Sequence, residues 1–175
     1  MNKKYQLRII QIKTRDFLAN EVEEVVKAAE KLVDNCANLK LLPSDTQMNS
    51  LNNLVFRSES VEPVISFLYT QVEKFKKKNK QESWNSKVKE SSHSFGDYIS
   101  SYIKWGISDF EAKINGFFTA LIEFGVTLEE PVRRDLKNHL KLHIAREFIG
   151  RLVAYYKWKT SKKEASPPKM EVKNV

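Results

Sequence analysis

The stretch Pro131–Lys163, PVRRDLKNHLKLHIAREFIGRLVAYYKWKTSKK, constrains the chain more than any other. Thr127 and Glu130 have capping-box spacing, and Pro131 stands where a first helical turn tolerates proline. Together they predict one long C-terminal helix. At 100° per residue its apolar positions fall on two faces. Val132, Leu136, Leu140 and His143 share one; Leu142, Ala145, Ile149, Leu152, Val153 and Tyr156 share another, roughly opposite. A straight helix on a small bundle needs one apolar stripe only. Either this helix bends, near Asn138 or Gly150, or its second stripe packs on another chain. The second reading makes Ile149, Leu152 and Tyr156 subunit contacts.

The same stretch holds ten basic residues, from Arg133 to Lys163, against Asp135 and Glu147, a balance of +8 that equals the formal charge of the whole chain. Phe148, Tyr155, Tyr156 and Trp158 are threaded through it. A basic helix interleaved with aromatics points to a polyanion, RNA or DNA, and Lys137, Lys141, Arg146, Arg151 and Lys157 are its candidate contacts. The same residues also fit a solvated basic face with an aromatic core side. A second basic cluster, Lys74, Lys76, Lys77, Lys78 and Lys80, ends an earlier helix with more cations than dipole complementation requires, which adds Lys74 to the candidates.

Only five glycines and five prolines interrupt 175 residues, so turns are few and segments long, as in an all-helical domain. Residues 1–15 carry five cations and no acid, with Tyr5, Leu7 and Ile9 alternating, and read as a basic arm or short strand. Apolar residues from Phe17 to Leu39 recur at three and four and predict a first helix over 16–39. Glu21, Glu23, Glu24 and Glu30 give it an acidic outer face, and Cys36 belongs to its apolar stripe. Ser44 and Gln47 cap a helix over 45–57, Ser60 caps the next, and Phe95–Trp105 and the segment around Ile114–Ile122 supply two more. Ser108 and Glu111 have capping-box spacing ahead of that last segment. Residues 79–93 read as a polar loop, with Trp84 tucked back on the core. Residues 164–175, with Pro167-Pro168, read as a disordered tail. The expected architecture over 16–163 is all-α: a single compact bundle of five to six helices ending in a long basic helix.

Little in the chain suggests catalysis. His139 and His143 have metal-binding spacing, but Leu140 stands where a metalloprotease helix carries glutamate, and no third ligand joins them by pattern. There is no phosphate-cradling glycine loop, no GxSxG and no CxxC. We expect no enzyme activity, no cofactor and no small-molecule substrate. A single cysteine, no membrane-length apolar run and no secretory leader suit a cytoplasmic protein.

The closing pattern Phe148-x-x-x-Leu152-Val153-Ala154-Tyr155-Tyr156-Lys157-Trp158 resembles the end of the small helical subunit of type III CRISPR effector complexes, of Csm type or the related Cmr type. Ser44–Lys74, a capped Leu-rich helix leading into a Val-rich one, and the Ser94-Phe95-Gly96 step are similar as well. The likeness spans Ser44 to Lys159. Residues 1–15 and the Trp84 loop have no counterpart in it, and Trp158 stands where tyrosine is expected. It implies a non-catalytic subunit, present in several copies, that tracks guide RNA and paired target RNA by their phosphates and packs on other subunits. A helical adaptor whose basic helix meets an acidic protein is the alternative.

Overall fold

The long C-terminal helix forms unbroken. In a computed structural model, which describes residues 2–36, 38–89, 91–106 and 109–164, it runs from Glu130 to Glu164. Six α-helices and no strand form among the described residues. They are α1 (Lys3–Asp34), α2 (Asp45–Arg57), α3 (Glu62–Lys77), α4 (Phe95–Trp105), α5 (Phe110–Glu123) and α6 (Glu130–Glu164).

The basic first residues are neither arm nor strand. They are the first turns of α1, capped by the Asn2 side chain, which accepts from the Lys4 amide at 2.9 Å. Lysine, arginine, glutamine and leucine are good helix formers, and no glycine or proline interrupts them before Asp34. The alternation that suggests a strand is not expressed: Ile9 is buried while Tyr5 and Leu7 stay exposed. At its other end α1 stops at Asp34, earlier than the apolar periodicity implies. Cys36 and Leu39 are buried from the link that follows.

α1 and α6 are 32 and 35 residues long, about 50 Å each. They pack against one another more extensively than any other pair of elements. They run parallel, because contacts advance along both together. Leu18 and Leu136 line one groove, Glu30 meets Arg151, and Asp34 meets Tyr155. α2 lies antiparallel on another side of α6, with Asn49 at Lys157 and Val55 at Arg146. α4 closes in between, stacking Tyr102 on Phe148 with ring centroids 4.0 Å apart.

α6 is therefore a central helix, which accounts for the stripe from Leu142 to Tyr156 and for Leu140 without a bend, while Val132 stays exposed and Leu136 and His143 line an open groove. Leu140, Ile144 and Phe148 are buried, and so are Ala145, Leu142 and Val153. Ile149 and Leu152 are 0 % exposed and Tyr156 5 %. These three pack in the chain's own core rather than forming the expected subunit contacts, and only the edge of Tyr156 reaches a surface, at a cleft beside α6.

The polar segment after α3 is held to the bundle by Trp84. The indole is fully buried, edge-on to Phe67 at 5.9 Å and tilted over Phe95 at 6.2 Å. Gly96 makes room for it. A Cβ there would lie 2.5 Å from Val72 Cγ2 and 3.0 Å from the Trp84 carbonyl oxygen. Backbone bonds from Lys89 to Asn35 and from Phe95 to Ser86, both 2.8 Å, tie the segment down on either side.

The Ser44–Gln47 capping box forms, and Ser94 caps α4, which ends at Gly106 with φ +79°. Other caps differ. Val61 precedes α3, and the Ser60 hydroxyl instead bonds the Glu62 carboxylate, which lowers that group's pKa. Thr127 lies three residues ahead of α6, where the Glu129 carbonyl accepts from Arg133 at 2.9 Å. Ser108 and the segment beyond Glu164 lie outside the described residues.

Cys36 donates its thiol to the Leu32 carbonyl at 3.2 Å. Burial, reinforced by Asp34, pushes its pKa up to about 12. Only thiolate alkylates readily. Iodoacetamide at neutral pH should therefore leave the native protein unmodified and label it once denaturant is added; mass spectrometry reads the difference.

Candidate nucleic-acid interface

Most cations of α6 are already engaged within the chain. Arg146 donates to three carbonyls at the end of α2: Ser58 at 2.9 Å, Val55 at 3.4 Å and Phe56 at 3.5 Å. Those are acceptors that the C-terminus of α2 leaves open around its C-cap Ser58, and Arg146 satisfies them from outside the helix. Arg151 bonds Glu30 through Nε at 2.9 Å and through a terminal nitrogen. Lys159 pairs with Asp34, and Lys137 with Glu111 at 2.7 Å. Lys141 is half-buried; burial first, then the nearby Lys137, pushes its ammonium's pKa down.

The reason lies in α1. Its carboxylates do not form a free acidic face. The parallel packing brings Glu30 and Asp34 against the cations of α6. Glu21, itself buried, and Glu24 both take Lys113 of α5, at 2.6 and 2.7 Å. Of the expected contacts, Lys137, Arg146 and Arg151 thus have partners within the chain, Lys141 is half-buried, and Lys74 and Lys157 make no ion pair among the described residues. Lys157 bonds the neutral Asn49 side chain at 2.7 Å and keeps its charge uncompensated.

Lys157 lines a cleft that Lys74 does not; the α3 lysine run borders it through Phe75 alone. This broad open cleft of about 1230 Å3 lies at the C-terminal end of α6. Lys157, Trp158 and Thr160 line one side, Phe75 at the end of α3 another, and Lys40 the link between. Phe75 sits inside the lysine run. Within that run Lys76 is paired with Glu73 and Asp97, and Lys80 with Glu82. Lys74, Lys77 and Lys78 are exposed and make no ion pair among the described residues. Asp45 and Glu82 also line the cleft. Glu82 is neutralised by Lys80, and Asp45 sits in the first turn of α2, where a negative charge suits the helix dipole.

The aromatics of α6 divide. Phe148 and Tyr156 enter the core, whereas Trp158 is 48 % exposed. Tyr155 stacks on it with centroids 5.4 Å apart and planes 26° from parallel. The Lys162 ammonium lies 4.3 Å from the centre of the Trp158 ring. An exposed cation–π contact contributes about 0.5–1 kcal/mol, less than the roughly 1–3 kcal/mol of a nucleobase stacked on an aromatic side chain. Trp158 and Lys162 have a legible signal, an aromatic and a cation four apart on a basic helix. Lys40 has none, because only the fold brings its link to the cleft.

His139 and His143 meet edge to face, centroids 4.6 Å apart, in an apolar groove between α1 and α6. Burial, then His139 and Arg146, lower the pKa of His143. Among the described residues no group of three or more His, Cys, Asp or Glu is placed to hold a metal, and no helix is long and apolar enough to cross a membrane.

No protein-family model, no curated protein sequence and no solved structure matches this chain.

Proposed function

We propose that the protein is a non-catalytic RNA-binding subunit of a type III CRISPR ribonucleoprotein. It holds guide RNA and its paired target by the phosphate backbone and packs on other subunits of the complex. The observation that supports this reading is one open cleft at the end of α6, lined by Lys40, Lys157 and the exposed Trp158 and bordered by Phe75 of the α3 lysine run. Lysines on helix ends supply phosphate contacts without base choice, as suits a subunit whose sequence information comes from the guide. The likeness of Leu152–Trp158 to the family's ending supports the choice of assembly. With Ile149, Leu152 and Tyr156 buried, the apolar groove of Ile10, Leu18, Val22 and Leu136 is a surface open to neighbouring subunits.

The test is RNA affinity as a function of salt. The protein should bind RNA of unrelated sequences equally, more weakly as salt rises. The triple variant Lys74→Glu/Lys77→Glu/Lys157→Glu should bind at least tenfold more weakly. Its log–log salt slope should be shallower by about 0.7–0.9 for each phosphate that the variant no longer neutralises. An unchanged affinity and slope overturn the site. Capture from the native host with a lone acidic protein and no RNA would favour the adaptor reading instead.

A further inference from the structure

We infer that the Tyr155–Trp158 pair is a stacking platform that takes an unpaired nucleobase of the RNA held in the cleft. The inference rests on the function proposed above and adds to it a ring on a base, beside lysines on phosphates.

The geometry is local and complete. α6 presents Arg151, Ala154, Tyr155 and Trp158 around a notch of about 360 Å3. Ala154, one turn before Trp158, is the small residue that opens it. A larger side chain there would fill the space toward which a helical indole leans. Tyr155 backs the indole as a second ring and holds it in place. Arg151 closes the far end, its guanidinium fixed by Glu30. The Lys162 ammonium covers part of the indole from an exposed, flexible chain. A base arriving on the ring displaces it, and the freed ammonium stays within reach of the adjoining phosphate.

Trp158 lines the notch and the broad cleft alike. A backbone following the cleft lysines therefore passes beside the platform. Bases inside a duplex are stacked on each other and present no free face, whereas an unpaired base does. The site accordingly discriminates unpaired nucleotides, at a strand end or at a base turned out of a hybrid, from continuous duplex.

The experiment compares oligouridine with a blunt-ended RNA duplex at one salt concentration. It uses the full chain carrying Trp105→Phe, so that Trp158 is the exposed reporter while Trp84 remains buried. Oligouridine should quench Trp158 fluorescence and the duplex should not. Trp158→Leu should lower oligouridine affinity about tenfold and leave duplex affinity and salt slope unchanged. Trp158→Phe, which keeps a ring, should restore most of the loss and excludes misfolding as its cause. Equal oligouridine binding by Trp158→Leu and its parent overturns the platform and leaves the phosphate cleft standing. So does an equal loss on both RNAs. Failure of the parent protein to bind either RNA overturns the platform and the proposed function together.

Discussion

Replacing Trp84 with alanine should destabilise the protein by about 3–5 kcal/mol, a large part of the roughly 5–15 kcal/mol that holds a domain of this kind folded. The indole is 0 % exposed and fills the space between α3, α4 and the segment joining them. Its removal leaves a cavity that rigid helices on two sides close only in part. The backbone bonds around it fix the segment at Asn35 and Ser86, so the segment cannot simply follow the collapse inward. Trp84→Phe should cost much less. It retains an aromatic contact with Phe67 and removes an Nε1 that has no hydrogen-bond partner among the described residues. Gly96→Ala probes the same joint from the opposite direction. The added methyl meets backbone at the Trp84 carbonyl, and overpacking of this kind costs about 1–3 kcal/mol. Urea unfolding midpoints at constant m-value measure all three. A loss below about 1 kcal/mol for Trp84→Ala would show that the joint does not contribute as described.

Arg146→Met should separate fold from function. The guanidinium supplies donors to the last carbonyls of α2, and hydrogen bonds made by a charged group contribute about 1.5–3 kcal/mol. Methionine keeps much of the length and apolar stem but leaves half-buried acceptors without donors. We expect a loss of about 2 kcal/mol in stability, with RNA affinity of the folded protein unchanged. Lys157→Glu should do the reverse, weakening RNA binding while leaving the unfolding midpoint almost where it was, because its partner Asn49 is neutral. Denaturation and RNA titration on the same two proteins decide the matter. Equal loss of RNA binding in both would return Arg146 to the interface.

These two residues mark the limit of what one sequence discloses. Both are cations on the same helix, and periodicity places both at the same edge of its core stripe, beside Val153. What distinguishes them is the element that lies opposite: α2 carbonyls in one case, a single amide and open cleft in the other. Where the information is local, the sequence is legible. Ser94 and Gly106 bracket α4, Ser44 and Gln47 build their box, and the buried place of Trp84 follows from a lone indole in a polar segment. Long-range pairing is illegible by the same token. Glu30 reads as part of an acidic outer face because nothing nearby in the chain reveals that Arg151 will meet it, and the pairing of Asp34 with Lys159 is equally hidden. The double stripe of α6 is visible in the sequence, yet a helix enclosed by its own domain and a helix shared between chains produce the same pattern.

The parallel pairing of α1 with α6 has a consequence for how the chain reaches this state. The bond between Glu30 and Arg151 spans 121 residues, and that between Asp34 and Lys159 spans 125. α1 thus waits for α6 before most of its apolar side has a partner, with α5 covering the part around Phe17. Until then α1, α2 and α4 all expose surfaces that only α6 covers. Helices form in about a microsecond, but closing loops of this length comes later and carries the entropy of nearly the whole chain. Folding of this bundle consequently follows the arrival of α6, which acts as the keystone rather than as an appendage added to a finished bundle.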